Sequence, residues 1–393
     1  MADLSIWVHG PEFGCSLVQV SVLQELLKKK PDIKVDLNVV KKNKPIFDYY
    51  FPKQIKDGTF SVEKNKLIHQ IAYSKSMNLS ISRTLAHVSK NVVTKSIPLI
   101  RQFNRRVYKN KPKLLISASL AEVGLLFKLM KKRPPTIFIF NYLLEHSKFF
   151  KRSKKLSNIS RKLFVKNYAN YDHSIIQTFF PEKDYRIKNE LDNLTMTNII
   201  SREATMTKHK LREELGVNSN EKLVFLAMGG AKFFKSIAKV AKEINKEHPY
   251  IRFLLLPREK KEIDKFKSLG KFIVPRNITF ETQNYVMASD VIITKCGLTT
   301  IAESIKYGTN IISIHLPNHA EVTETEILLR NEGIIRNSIK FSDFVNTRKI
   351  KKQLYKKLLD EIDNKESLKL MKKIKTNGAQ QVAKIYLNIL ENA

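Results

Sequence analysis

Short apolar runs alternate with longer amphipathic stretches along most of this chain, and the alternation predicts strands and helices in turn. Leu4–Val8 reads as a strand, followed by a glycine-bearing loop over His9–Ser16 and a helix to about Lys30. Ile33–Val40 reads as the next strand, so the chain opens on a strand–loop–helix–strand unit. Lys113–Ser117 and Thr136–Phe140 are further strands, joined by a helix over Leu120–Lys131, and His173–Phe180 closes the series before Pro181. From Pro181 to Val217 the chain is more polar and loses that rhythm. A second series then begins, with strands at Lys222–Met228, Ile251–Leu256, Asn277–Phe280, Asp290–Thr294 and Asn310–Leu316. Helices over Lys232–Glu247, Glu259–Leu269 and Leu298–Tyr307 fall between them, and the end of the chain from Thr347 reads as helical.

Strands and helices in alternation predict an α/β protein with parallel, doubly wound sheets. At 393 residues the chain exceeds what one hydrophobic core usually supports. Two Rossmann-like domains facing a central cleft are expected, over 1–185 and 186–370, with a C-terminal helix over 371–393 packing back on the first. Ligands of such sheets bind outside the carboxyl ends of the strands.

Charge changes the expected partners more than the fold. Seventy-one Lys and Arg against 37 Asp and Glu give a formal charge of +34, which favours anionic surfaces or phosphorylated ligands. No helix-turn-helix, RNP or zinc pattern is present, so nucleic acid is not the expected partner. The two cysteines, Cys15 and Cys296, cannot build a disulfide framework and are expected as reduced thiols. The first residues lack a basic region followed by a long apolar core, so no secretory signal is expected. The best candidate membrane span, Leu114–Met130, is interrupted by Glu122 and Lys128 and reads better as a strand entering a helix.

Three strand ends carry small glycine-bearing turns, at His9–Ser16, Met228–Lys232 and Lys295–Thr300. Each would present backbone N–H groups at a helix start, where the dipole favours an anion such as a diphosphate. A single glycine there need only permit a tight turn, but three in the same relative place favour phosphate binding. Glu303 follows Thr300 at capping-box spacing and could satisfy a helix-start N–H, or its two oxygens could accept the vicinal hydroxyls of a ribose. His315 and His319 are four apart, but Pro317 between them rules out an ordinary helix and argues against a metal pair. Glu321 and Glu324 suit the start of a helix, or contact with a sugar. No Asp-x-Asp pair, P-loop, HExxH or paired CxxC occurs, so no metal and no cofactor is expected.

The segment from Asp290 to Ile335 resembles the carboxyl-terminal donor-binding motif of GT-B glycosyltransferases, in particular the MurG-like UDP-sugar enzymes. Asp290, Gly297, Thr299, Thr300, Glu303 and Gly308 fit that motif, while Asn310 stands where proline is common. The resemblance implies that Glu303 holds the ribose of UDP. It also implies that the Gly297–Thr300 turn and the Gly229–Gly230 loop face the diphosphate, and that backbone near Phe280–Thr282 meets the uracil. His319, Glu321 and Glu324 fall in the polar loop that reads the donor sugar, although Thr323 and Glu324 replace the family's glutamines. In the first domain Cys15 or Ser16 stands where these enzymes carry a candidate base histidine. Glu12, then His9, is the expected base, with Gly10, Gly14 and Ser16 in the acceptor loop.

The resemblance thus implies transfer of a sugar from a UDP-sugar co-substrate, UDP-GlcNAc being the candidate, to a lipid-linked or membrane-surface acceptor, with inversion. The basic, aromatic stretches Lys95–Lys113 and Lys148–Tyr171 are expected to meet an anionic membrane from the cytoplasmic face; their bland rival is a helix with one core face. A UDP-sugar 2-epimerase or nucleotide-sugar hydrolase of the same fold is one alternative. A non-catalytic basic protein that binds nucleic acid or membrane is the other.

Overall fold

The computed structural model describes residues 2–8, 13–65, 101–118, 133–140, 165, 168–228, 234–256, 264, 266–267, 272–276, 279–316, 320–345 and 347–392. They form two compact units, Met1–Ser201 with Thr376–Ala393, and Arg202–Lys375. The change of unit therefore falls at Ser201, beyond the expected 185. The polar stretch that suggested a connector holds a strand of the first unit and a helix of the second.

Seven parallel strands build the first unit: β1 (Leu4–Val8), β2 (Val35–Val40), β3 (Phe60–Asn65), β4 (Leu114–Ala118), β5 (Thr136–Phe140), β6 (His173–Thr178) and β7 (Leu194–Asn198). Their order is β3-β2-β1-β4-β5-β6-β7, with Leu4 of β1 registered against both Val35 and Leu114. The order reverses between β1 and β4, the place where a doubly wound sheet opens a crevice. β1 and β4 are buried along their whole length, which is why they read as apolar runs.

Helix Gly14–Lys29 packs against helix Gly378–Glu391 near the end of the chain. Covered in this way, it buries Ser16 to Leu23 without a break. Ser16 is therefore a fully buried helix residue, not part of an open acceptor loop. The final helix is seated by an unusually close backbone approach: a Cβ on Gly378 would lie 1.9 Å from the carbonyl oxygen of Asn198. Asn198 N–H donates to Gln381 Oε1 at 2.8 Å, and Ile200 pairs with Asn377 in an antiparallel bridge. The preceding helices, Thr347–Ile362 and Lys365–Met371, belong to the second unit.

In the first basic stretch, residues 101–110 are helical. Phe103, Arg106 and Val107 face the core, and Arg106 bonds Asp36, with further contacts to Asn38 at 3.3 Å and Glu63 at 2.5 Å. Arg101, Arg105 and Lys109 are exposed. This segment therefore has a core face, and one of its cations serves the interior. Most of Lys148–Tyr171 lies outside the described residues.

The second unit holds β8 (Lys222–Ala227), β9 (Ile251–Leu254), β10 (Val291–Thr294), β11 (Asn310–His315) and β12 (Asn337–Lys340), all parallel, in the order β12-β11-β10-β8-β9. The reversal falls between β8 and β10, which run side by side with Ala227 opposite Thr294. The strand expected at Asn277–Phe280 is not formed at Thr279 and Phe280; Asn277 and Ile278 lie outside the described residues. Among the described residues no helix is long and apolar enough to cross a membrane.

Candidate functional site

The carboxyl end of β10 runs directly into the turn Lys295–Gly297 and the helix Leu298–Tyr307. Thr294 Oγ1 donates to Ala227 O at 3.1 Å and ties this end to the end of β8. Cys296 takes a left-handed backbone, φ 62°, which costs a residue with a Cβ about 1–2 kcal/mol. Its thiol is buried, and burial together with the nearby Glu326 carboxylate pushes its pKa far above the usual thiol range. Cys296 is thus a structural residue that steers the chain from strand to helix.

Gly297 is the N-cap, with no side-chain cap bond and no acidic residue in the first helical turn. The leading N–H groups of this helix therefore meet neither a cap nor an acidic neighbour in that turn. Gly297 itself has φ −63°, which any residue can adopt, and a Cβ there would meet nothing within 4 Å among the described residues. Glycine suits the N-cap and leaves room for a ligand close to the backbone. Thr299 and Thr300 lie half-buried in the first turn. Lys295, almost fully buried, lies in the turn that leads into the same helix.

Glu303 does not play the capping role. The helix begins at Leu298, so Glu303 sits in its second turn and cannot close a capping box. The side chains of Glu303 and Arg202 are 1% and 2% exposed and form an ion pair. Arg202 Nε donates to Glu303 Oε1 at 2.7 Å, and Nη2 approaches the same oxygen at 2.5 Å. Burial raises the Glu303 carboxyl above the ordinary range, and the adjacent guanidinium opposes that rise.

Arg202 also reaches the expected uracil platform. Its Nη1 donates to Phe280 O and its Nη2 to Thr282 Oγ1, each at 2.5 Å. Its backbone is held as well, since Tyr307 Oη donates to Arg202 O at 2.8 Å and accepts from Ala204 N–H at 2.5 Å. Glu303, Phe280 and Thr282 thus do come together, around an arginine that sequence reasoning missed. Taking one partner from such a buried pair typically costs about 3–5 kcal/mol.

At the end of β11, Glu326 accepts from Ser313 Oγ at 2.7 Å and Ser338 Oγ at 2.8 Å, and pairs with His315 Nδ1 at 2.6 Å. His315 is therefore engaged by a carboxylate. Glu324 is buried in helix Ala320–Asn331, where Thr323 Oγ1 donates to Leu316 O at 2.6 Å. Glu321 belongs to the same helix. His9, Gly10, Glu12, Gly229, Gly230 and His319 lie outside the described residues, while Gly14 is the first residue of its helix. Among the described residues no group of His, Cys, Asp and Glu could hold a metal.

No protein-family model matches the chain, and no curated protein matches it by sequence. Solved structures do. The chain is similar to MurG of Acinetobacter baumannii at 12% identity and a TM-score of 0.56, over 99% of this chain and 100% of that one. It is similar to CalG4, the calicheamicin glycosyltransferase, at 10% identity and a TM-score of 0.63, covering 100% and 99%. UGT89C1 of Arabidopsis thaliana, solved with quercetin, gives 13% identity and a TM-score of 0.67 over 98% and 99%. The fold is GT-B. Within this GT-B chain, the Lys295–Thr300 turn and the Arg202–Glu303 pair both belong to the second unit.

Proposed function

We propose that the protein is a glycosyltransferase that binds a UDP-sugar in its second unit and transfers the sugar to a lipid-linked or membrane-surface acceptor. The observation that carries the donor half is the end of β10 beside β8. There a helix start with no side-chain cap bond and a glycine N-cap with ordinary backbone angles meet at the topological switch point. The acceptor oxygen would attack the anomeric carbon as the bond to the diphosphate breaks, with Glu12 or His9 taking the hydroxyl proton. Negative charge growing on the departing UDP would fall on the N–H groups of Leu298–Thr300. UDP-GlcNAc is the candidate donor and inversion the expected outcome. The charge of +34 supports a peripheral place on an anionic membrane at the cytoplasmic face.

Calorimetry with UDP and a panel of UDP-sugars tests the reading. Binding that Glu303→Ala abolishes is expected, with transfer stimulated by anionic vesicles. A folded protein with no affinity for any uridine diphosphate would end the proposal, and release of free sugar or an epimer without an acceptor would redirect it to the hydrolase or epimerase.

A further inference from the structure

Arg202 enters no expectation drawn from the sequence, yet it is the most heavily bonded side chain at the candidate donor site. We infer that Arg202 is a positioning residue for ribose recognition: by gripping Oε1 it holds the Glu303 carboxylate in one place and orientation beside the start of helix Thr282–Ala288. This rests on the reading of the second unit as a UDP-sugar site, and adds a role for a residue on the strand-to-helix connection rather than in the motif.

Three observations carry it. Arg202 Nε and Nη2 both meet Glu303 at Oε1. The remaining guanidinium bonds go to Phe280 O and Thr282 Oγ1, so one planar group fixes the carboxylate relative to the start of helix Thr282–Ala288. The backbone on either side is pinned by Tyr307, from the same helix that carries Glu303. A guanidinium held at four points is a fixed part of the site, not a side chain that swings away for a ligand. A carboxylate this deeply buried also needs a fixed cation to remain ionised and accept hydroxyl protons. The groups facing Glu303 are Arg202 from the connecting segment and Lys306 and Tyr307 from its own helix. Among these Arg202 alone bonds it directly.

The test compares UDP with 2′-deoxy-UDP by calorimetry on the full chain. Wild type should prefer UDP by at least tenfold, and Glu303→Gln should erase most of that preference. Arg202→Lys keeps a buried cation and the fold but cannot span Glu303, Phe280 O and Thr282 together; its preference should fall to about threefold or less. Arg202→Gln should show the same loss, larger at lower pH and partly restored as pH rises and the carboxyl ionises. The double variant with Glu303→Gln should be no worse than Glu303→Gln alone. A merely structural role would weaken both ligands equally and leave their ratio unchanged. Should both Arg202 variants keep the wild-type ratio while Glu303→Gln loses it, the inference is overturned and the donor-site reading survives. Should wild type bind no UDP, both fall.

Discussion

Replacing Gly378 with alanine puts a methyl group where there is no room for one. The new Cβ would lie 1.9 Å from Asn198 O, 2.8 Å from Asn198 C and 2.9 Å from Ile199 O. All three obstacles are backbone, so no side chain can rotate out of the way. The helix must retreat by about 1 Å before any carbon–oxygen contact becomes tolerable. That retreat stretches the bond from Gly378 N–H to Ile199 O, already 3.2 Å, and the bond from Asn198 N–H to Gln381 Oε1 at 2.8 Å. Overpacking typically costs about 1–3 kcal/mol and each weakened hydrogen bond about 1 kcal/mol, so a loss of about 3 kcal/mol is expected. For a unit of this size that corresponds to a fall of about 6–12 °C in melting temperature. The chain has a single tryptophan, Trp7, fully buried in the first unit, so its fluorescence reports the unit that the substitution strikes. A melting temperature within 2 °C of wild type would refute the reasoning.

Gly297→Ala should behave in the opposite way. With open space at its Cβ it should cost only about 0.5–1 kcal/mol as a lost N-cap glycine, leave the Trp7 transition in place, and weaken UDP binding at least tenfold in calorimetry; unchanged affinity would remove Gly297 from the site. Tyr307→Phe deletes the hydroxyl shared by Arg202 O and Ala204 N–H and should lower stability by about 1–2 kcal/mol in urea unfolding. A loss under 0.3 kcal/mol would show that the hydroxyl does not anchor the segment. Asp172 is pushed up by partial burial, but bonds from Arg133 and Thr136 prevail and hold its carboxyl below the usual 3.8. The unfolded chain thus takes up that proton at higher pH, so the stability is present above about pH 4 and is lost as pH falls through the lower folded value. Asp172→Asn should flatten the acid limb of thermal stability between about pH 4 and 2, by no more than about 0.5 kcal/mol given its exposure; an unaltered limb would count against the pair.

How much was legible depended on where each element lies in its sheet. Central strands such as β1, β4 and β10 are buried at every residue, and their apolar runs placed them almost to the residue. The missed strands, β3, β7 and β12, are all edge strands. β7 reads Leu-Thr-Met-Thr-Asn and β12 Asn-Ser-Ile-Lys, and both are only partly buried. An edge strand needs one apolar face or less, so its sequence looks like a loop. The glycine turn after β10 was visible because a strand end, a glycine and a helix start are all local signals. Arg202 was not, because its partner Glu303 lies 101 positions away and nothing in Ser201–Ala204 carries a period. The burial of Glu303 was hidden for the same reason, since only that distant cation makes it tolerable. Ser16 was misplaced because the cover over its helix comes from the far end of the chain.

The return of the last helix makes the second unit an insert spliced into the first. Its two covalent joints, Ser201–Arg202 and Lys375–Thr376, leave from neighbouring points, because Ile200 and Asn377 are paired and Ser201 Oγ donates to Thr376 O at 3.4 Å. A short bridging turn could therefore close the host, and the excised fragment 202–375 would carry the whole arginine-centred cluster with it. Under the proposed function, loading of the nucleotide and handling of the acceptor would be separable at the level of the gene.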